Sequence, residues 1–273
     1  MPPPTLSPTF LALLKEVQFT RDILGAGATQ IRRANYASKG TYFLALVSLS
    51  TGLERLGKLC LMLDHLLQHG SFPDLAQLKR DIGHRLLLIH ERTEALVQRR
   101  GLQLQFRQRL DDPIHLAALR CLHNFAEGDR YSNINLLVGA PSTSDPLADW
   151  SRTVDGPLFL SRVSSRKQAD IRRNAQAVAA MMGSSSMVLH SAETGETITS
   201  LEDASYRTGV VKAISPHRQL CVLQIIRYWV EVLGELQYPA MQLSGDIPHF
   251  SEVLAIFYNA DEYLKSRKTW ERV

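Results

Sequence analysis

The side chains of this chain best suited to chemistry are basic, imidazole and amide groups gathered in four places. In LKRDIGHRLLLIHE, residues 78–91, Arg80 and His84 are four apart, a spacing that puts both on one face of a helix. Gly83 beside them costs about 1 kcal/mol relative to alanine inside a helix. A residue that weakens its own helix marks close approach of a ligand or of another backbone. His84 therefore reads in one of two ways. It is the acid or base of a phosphate-sized site with Arg80 and Arg130 as cations, or it is a histidine hydrogen-bonded to a neighbouring helix for structure. Glu54 and Lys58 repeat the i, i+4 spacing in the favourable order. They form either an ion pair worth about 0.2–0.5 kcal/mol or a phosphate-binding lysine positioned by its glutamate.

HNFAEGDRYSNIN, residues 123–135, crowds polar groups beyond a helix end. Arg130, Tyr131 and Asn133 are the candidate binding residues there, because a loop after a rigid helix is where such groups sit. The same groups suit the capping of helix carbonyls. The fourth place is a basic stretch read as one amphipathic helix over residues 161–182. At helical spacing Arg162, Arg166 and Arg173 fall within about 40° of one another, while Val163, Ile171 and Val178 cover an adjoining sector. This stripe is either a solvated face or a surface for a phosphate backbone.

The elements that must position these groups are helices. Ser7 is a cap candidate for a first helix, which GAGATQ, residues 25–30, is expected to end. GAGATQ resembles the start of a dinucleotide fingerprint, but glutamine stands where the third glycine should fall, and helical periodicity precedes it. A long helix follows over residues 40–69, with Leu53, Leu56, Leu59, Cys60, Leu63, Leu66 and Leu67 on one face. Asp74 then caps a helix running to residue 100. Asp112 and Pro113 start another, which ends near Gly128. Residues 139–160, rich in Pro, Ser, Asp and Gly, read as a linker or long loop between an N-terminal half, 1–138, and a C-terminal half, 161–273, which form either two units or one continuous domain. Beyond the basic helix, a Ser/Thr-rich stretch leaves room for a short hairpin. Two closing helices are expected over 216–237 and 248–267. The fold class is all-α, an antiparallel bundle of about seven or eight helices.

Composition fits that reading. Of 273 residues, 45% are hydrophobic and 21% charged, and the net charge of +4 permits a polyanionic partner without demanding one. The three cysteines are far apart in apolar runs, which suits a reducing cytoplasm better than a disulfide framework. No run reaches the roughly 18 apolar residues of a membrane span, and no metal or cofactor motif is present.

GLERLGKLCLMLDHLL, LKRDIGHRLLLI and NFAEGDRYSNINLL, taken in order, resemble the HEPN-like superfamily of bacterial helical proteins over residues 40–140. The ending YLKSRKTW is similar to uncharacterised relatives of that kind. The resemblance implies a four-helix core that often dimerises, here with added C-terminal helices. For catalytic members it implies a metal-independent endoribonuclease in stress or phage defence. Such members use an arginine and a histidine four to six residues apart. Arg85–His90 and Arg109–His115 both meet that spacing, but with nine histidines about two matches are expected by chance. Leu86 and Leu110 also stand where catalytic members carry a polar residue. RNA is the expected partner. The rival expectation is a non-catalytic dimerisation or protein-binding module presenting the leucine-rich C-terminal helices.

Overall fold

The computed structural model describes residues 6–81, 83, 85–106, 110, 112–141, 144–182 and 185–271, without the side chains of Arg80 and Asp81. The described residues are all-α apart from one two-stranded hairpin. Helix α1 (Pro8–Arg33) begins where Ser7 accepts a 3.0 Å bond from the Phe10 N–H. It is not ended by GAGATQ. The two glycines serve close packing instead: a Cβ on Gly25 would lie 2.4 Å from the Trp270 carbonyl oxygen, and one on Gly27 would lie 2.8 Å from Leu49 Cγ. Helix α2 (Lys39–His69) follows, and the expected stripe is its buried face, with Leu53, Leu56, Cys60 and Leu63 in the core.

Asp74 and Gln77 cap each other's backbone at 2.7 and 2.8 Å, the reciprocal arrangement of a capping box. The helix they open is short. α3 (Leu75–Asp81) stops, Gly83 takes a left-handed φ of 55°, and its N–H reaches back to the Leu78 carbonyl at 3.1 Å. α4 (Leu86–Arg100) is a separate element. Gly83 thus ends the expected helix rather than lying within it, while His84 and the Arg80 side chain lie outside the described residues. α5 (Pro113–Glu127) starts as expected, with Asp112 accepting from the Ile114 N–H at 2.8 Å.

Residues 139–160 are not a loop throughout. After α6 (Ser132–Leu137), Asp145 caps α7 (Pro146–Trp150), a π-turn spans Ser151–Asp155, and α8 (Gly156–Arg162) follows. Trp150 and Val154 are fully buried, and that burial holds a Pro- and Gly-punctuated segment helical. Val163 is extended and separates α8 from α9 (Ser165–Met182), so Arg162 does not share a helix with Arg166 and Arg173. The hairpin, β1 (His190–Ser191) with β2 (Thr197–Ile198), leads into α10 (Leu201–Leu243).

Pro216 and Pro239 lie inside α10 rather than at its start. Each removes one backbone bond, but between them Val222, Leu223, Ile225, Ile226 and Trp229 are buried against α1, α2 and α5. That apolar contact outweighs a proline penalty of about 3 kcal/mol. The expected last helix is divided into α11 (Phe250–Val253), a 3-10 turn at Ala255–Phe257 and α12 (Asp261–Ser266). One apolar core draws on both halves of the chain, from Leu13 to Trp270. A smaller cluster of Phe159, Val163, Ile171 and Ile214 joins α8, α9 and α10.

Candidate functional site

The residues singled out in the sequence fall into separate environments. On α2, Lys58 Nζ lies 2.6 Å from Glu54 Oε1, with both side chains about four-fifths buried (21% and 17% exposed). After α5, the Arg130 guanidinium sits 5.1 Å over its neighbour's ring, Tyr131, in the 3-10 turn Asp129–Tyr131, and Asn133 is exposed on α6. Arg173 pairs with Asp170 on α9, while Arg166 is exposed and has no ion-pair partner among the described residues. His84 lies outside the described residues, as do the Arg80 side chain and Arg109. His90 is packed between Tyr228 and Trp229 with its Nδ1 unpartnered, and burial lowers its pKa. It therefore fills the core and is sealed from a substrate, whereas Arg85 is exposed at the start of α4. Burial likewise pushes the Cys60 and Cys221 thiols up, away from the reactive thiolate.

Arg162 is the exception, for it borders a real cavity. A cleft of about 260 Å³ opens between the start of α5, the end of α8, the middle of α10 and α12. Its polar lining includes His115, His217, Arg162, Lys265 and Asp261. Arg162 is held at 3.0 Å by Asp112, the residue that also caps α5. His115 Nε2 lies 2.9 Å from Gln224 Oε1, and the Gln224 amide donates to Asp261 at 2.8 Å, so that imidazole is fixed in orientation. His217 is half-buried. Its pKa is lowered first by burial, then by the positive charges of Lys265 and Arg162. At neutral pH it is therefore an uncharged base set between two cations, and the Lys265 ammonium has no ion-pair partner among the described residues.

Directly behind His217, the next residue points the other way. Arg218 is fully buried and all five of its N–H donors are met. It grips Asp155 with two bonds at 2.8 and 2.6 Å, caps the end of α1 through the Ile31 and Ala34 carbonyls at 3.0 and 2.9 Å, and donates to the Tyr42 hydroxyl at 2.9 Å. Trp150 Nε1 adds a 3.0 Å bond to Asp155. Burial raises the Asp155 pKa, and Arg218 opposes that rise. This layer ties α1, α2, the π-turn and α10 together, and so fixes the rotation of α10 that turns His217 into the cleft.

Sequence reasoning found Arg162 but missed His217, Lys265 and Arg218. Their partners are distant in the chain: Asp155 is 63 residues from Arg218 and Tyr42 is 176. No local spacing marks such a set. The one visible signal was the adjacent His–Arg pair just after Pro216. Comparison with protein-family models, with curated proteins and with solved structures finds no match.

Proposed function

We propose that this chain is a HEPN-like protein that engages RNA, and that it acts as a metal-independent endoribonuclease at the cleft around His217. The observation that carries the reading is a neutral imidazole flanked by Arg162 and Lys265 in a cleft beside a basic helix. In this reading His217 takes the proton of a ribose 2′-hydroxyl, and the 2′-oxygen attacks the adjacent phosphorus. Arg162 and Lys265 stabilise the charge gathering on the phosphoryl oxygens. The bond to the 5′-oxygen breaks, that oxygen receives the proton, and a 2′,3′-cyclic phosphate is left. From Val163 the chain enters α9, whose exposed Arg166, Lys167 and Arg172 track the backbone of the strand beyond the cleft. The free, buried cysteines suit a reducing cytoplasm.

The test is incubation with total RNA in excess chelator, beside His217→Ala and an Arg162→Ala/Lys265→Ala double variant. Cleavage by the parent that drops at least about a hundredfold in folded His217→Ala supports the reading. Cleavage that survives both variants overturns it.

A second reading, a non-catalytic homodimer, is favoured by the apolar side of α6, where Leu136 and Leu137 are 79% and 84% exposed. The C-terminal stretch expected to supply that surface does not do so, because Val222 to Leu233 of α10 builds the core. Light scattering that finds a dimer, converted to monomer by Leu137→Glu, supports this second reading.

A further inference from the structure

A second cavity, of about 250 Å³, lies between the π-turn at Ser151–Asp155, α8, the hairpin turn and the first half of α10. It shares no lining residue with the cleft around His217. The hairpin puts a carboxylate into its wall. Ala192 and Ile198 are fully buried and anchor the hairpin, while Gly195 turns the chain with a φ of 88°. Glu193, between them, is only 9% exposed and lines the cavity. It meets the Tyr42 hydroxyl at 3.3 Å, but that hydroxyl has a single proton, and Asp155 lies closer to it, at 3.1 Å. The cations of this region are engaged elsewhere. Arg218 grips Asp155, Arg207 bonds Asp203 and Glu196, and Lys39, which reaches the same hairpin, donates to Ser191. Glu193 has no ion-pair partner among the described residues. One buried guanidinium, Arg218, thus stands with two buried carboxylates, Asp155 and Glu193, which leaves one negative charge uncompensated.

We propose that this cavity binds a small primary amine, with its ammonium against the Glu193 carboxylate and its hydrocarbon part on Phe159, Tyr206, Val210 and Ile214. A buried carboxylate without its counter-charge is costly, and an entering ammonium offsets that cost through a charge-assisted N–H···O bond. One ammonium also matches the one uncompensated charge. A bare hard cation suits the place less well, since calcium takes about six or more oxygen ligands. No group of three or more His, Cys, Asp or Glu among the described residues is placed to hold a metal ion. Phe159, Val210, Val211 and Ile214 give an apolar wall for hydrocarbon, and the rings of Phe159 and Tyr206 suit a cation as well. The volume lies below the roughly 300–1,000 Å³ of drug-sized pockets, so the ligand is a small molecule.

Ligand-observed NMR titration of the full chain at about pH 7, where an alkylamine is protonated, compares phenethylamine with its neutral counterpart 2-phenylethanol. Phenethylammonium is expected to bind at least about tenfold more tightly than the alcohol, because only it brings the charge. Glu193→Gln keeps the shape of the wall, removes the charge and lowers amine affinity at least about tenfold, while affinity for the alcohol stays as it was. Val211→Phe, a half-buried change that fills the space and leaves every charge in place, removes binding of both. It also decides the matter should Glu193→Gln fail to fold. Absence of phenethylammonium binding at about 10 mM, an alcohol that binds as tightly as the amine, affinity unmoved in folded Glu193→Gln, or binding that survives Val211→Phe overturns the proposal.

Discussion

His217 and Arg218 are neighbours in sequence and opposites in environment. Arg218 is sealed in a layer where every donor has an acceptor and the charge is matched by a bidentate carboxylate. His217 faces a cleft where Lys265 has no ion-pair partner among the described residues and the imidazole is held neutral. A saturated buried ion pair has nothing left to offer a ligand, and removing one partner strands the other in low dielectric. The cleft at His217 holds Arg162 paired with Asp112 but leaves Lys265 without an ion-pair partner among the described residues, so that ammonium stays open to something that enters. Polarity alone does not separate the two roles. The count of unmet partners does.

The sharpest way to break the contrast is at the buried layer. Arg218→Met leaves Asp155 without its cation and is expected to cost about 3–5 kcal/mol in urea unfolding. Arg218→Met combined with Asp155→Leu should cost clearly less than the two single changes added, because no charge is then stranded. A double variant as damaged as the sum would mean that the pair is not the unit it is taken for here. Next in size is Gly25→Ala, whose new methyl meets the Trp270 carbonyl at 2.4 Å and should cost about 1–3 kcal/mol.

At the cleft the sign of the outcome reverses. His217→Ala is expected to leave the unfolding midpoint nearly unchanged while removing RNA cleavage. A large stability loss would place His217 with the structural set. On α9, Arg166→Gln or Arg172→Gln should weaken RNA binding uniformly across sequences and reduce the slope of log affinity against log salt by about one each. The smallest effect concerns pH. His90 has its pKa lowered by burial, so below the ordinary histidine value of about 6.5 the unfolded chain takes up a proton that the folded chain refuses. Stability is therefore full above that pH and declines as the pH falls through it. His90→Phe should flatten the decline in denaturation curves taken from pH 7.5 to 5.5.

Much of the fold was legible because its signals are local. Ser7, Asp74 and Asp112 cap helices as their side chains and positions imply, and the leucine stripe of α2 is its buried face. The failures share a cause. Gly25 and Gly27 read as a helix stop because close approach of Trp270 and Leu49 has no local signature. Pro216 read as a helix start because tertiary burial of α10 is invisible from its own sequence. Residues 146–160 read as part of a loop because their turn-forming residues outweigh a helical propensity that only burial of Trp150 and Val154 reveals. The site divides the same way. The Glu54–Lys58 pair, set by helical spacing, is present, whereas Asp155 with Arg218, and His217 with Lys265, come together only through the fold.

The central claim is that a phosphate enters the cleft at His217, and titration of that imidazole by NMR, assigned with His217→Ala, tests it most directly. In the free protein its pKa lies below the ordinary value, first because the imidazole is partly buried and then because Lys265 and Arg162 repel the proton. An RNA oligonucleotide with a non-cleavable 2′-deoxy step should bring an anion between those cations and raise that pKa. An oligonucleotide that binds yet leaves the His217 titration where it was would contradict the account.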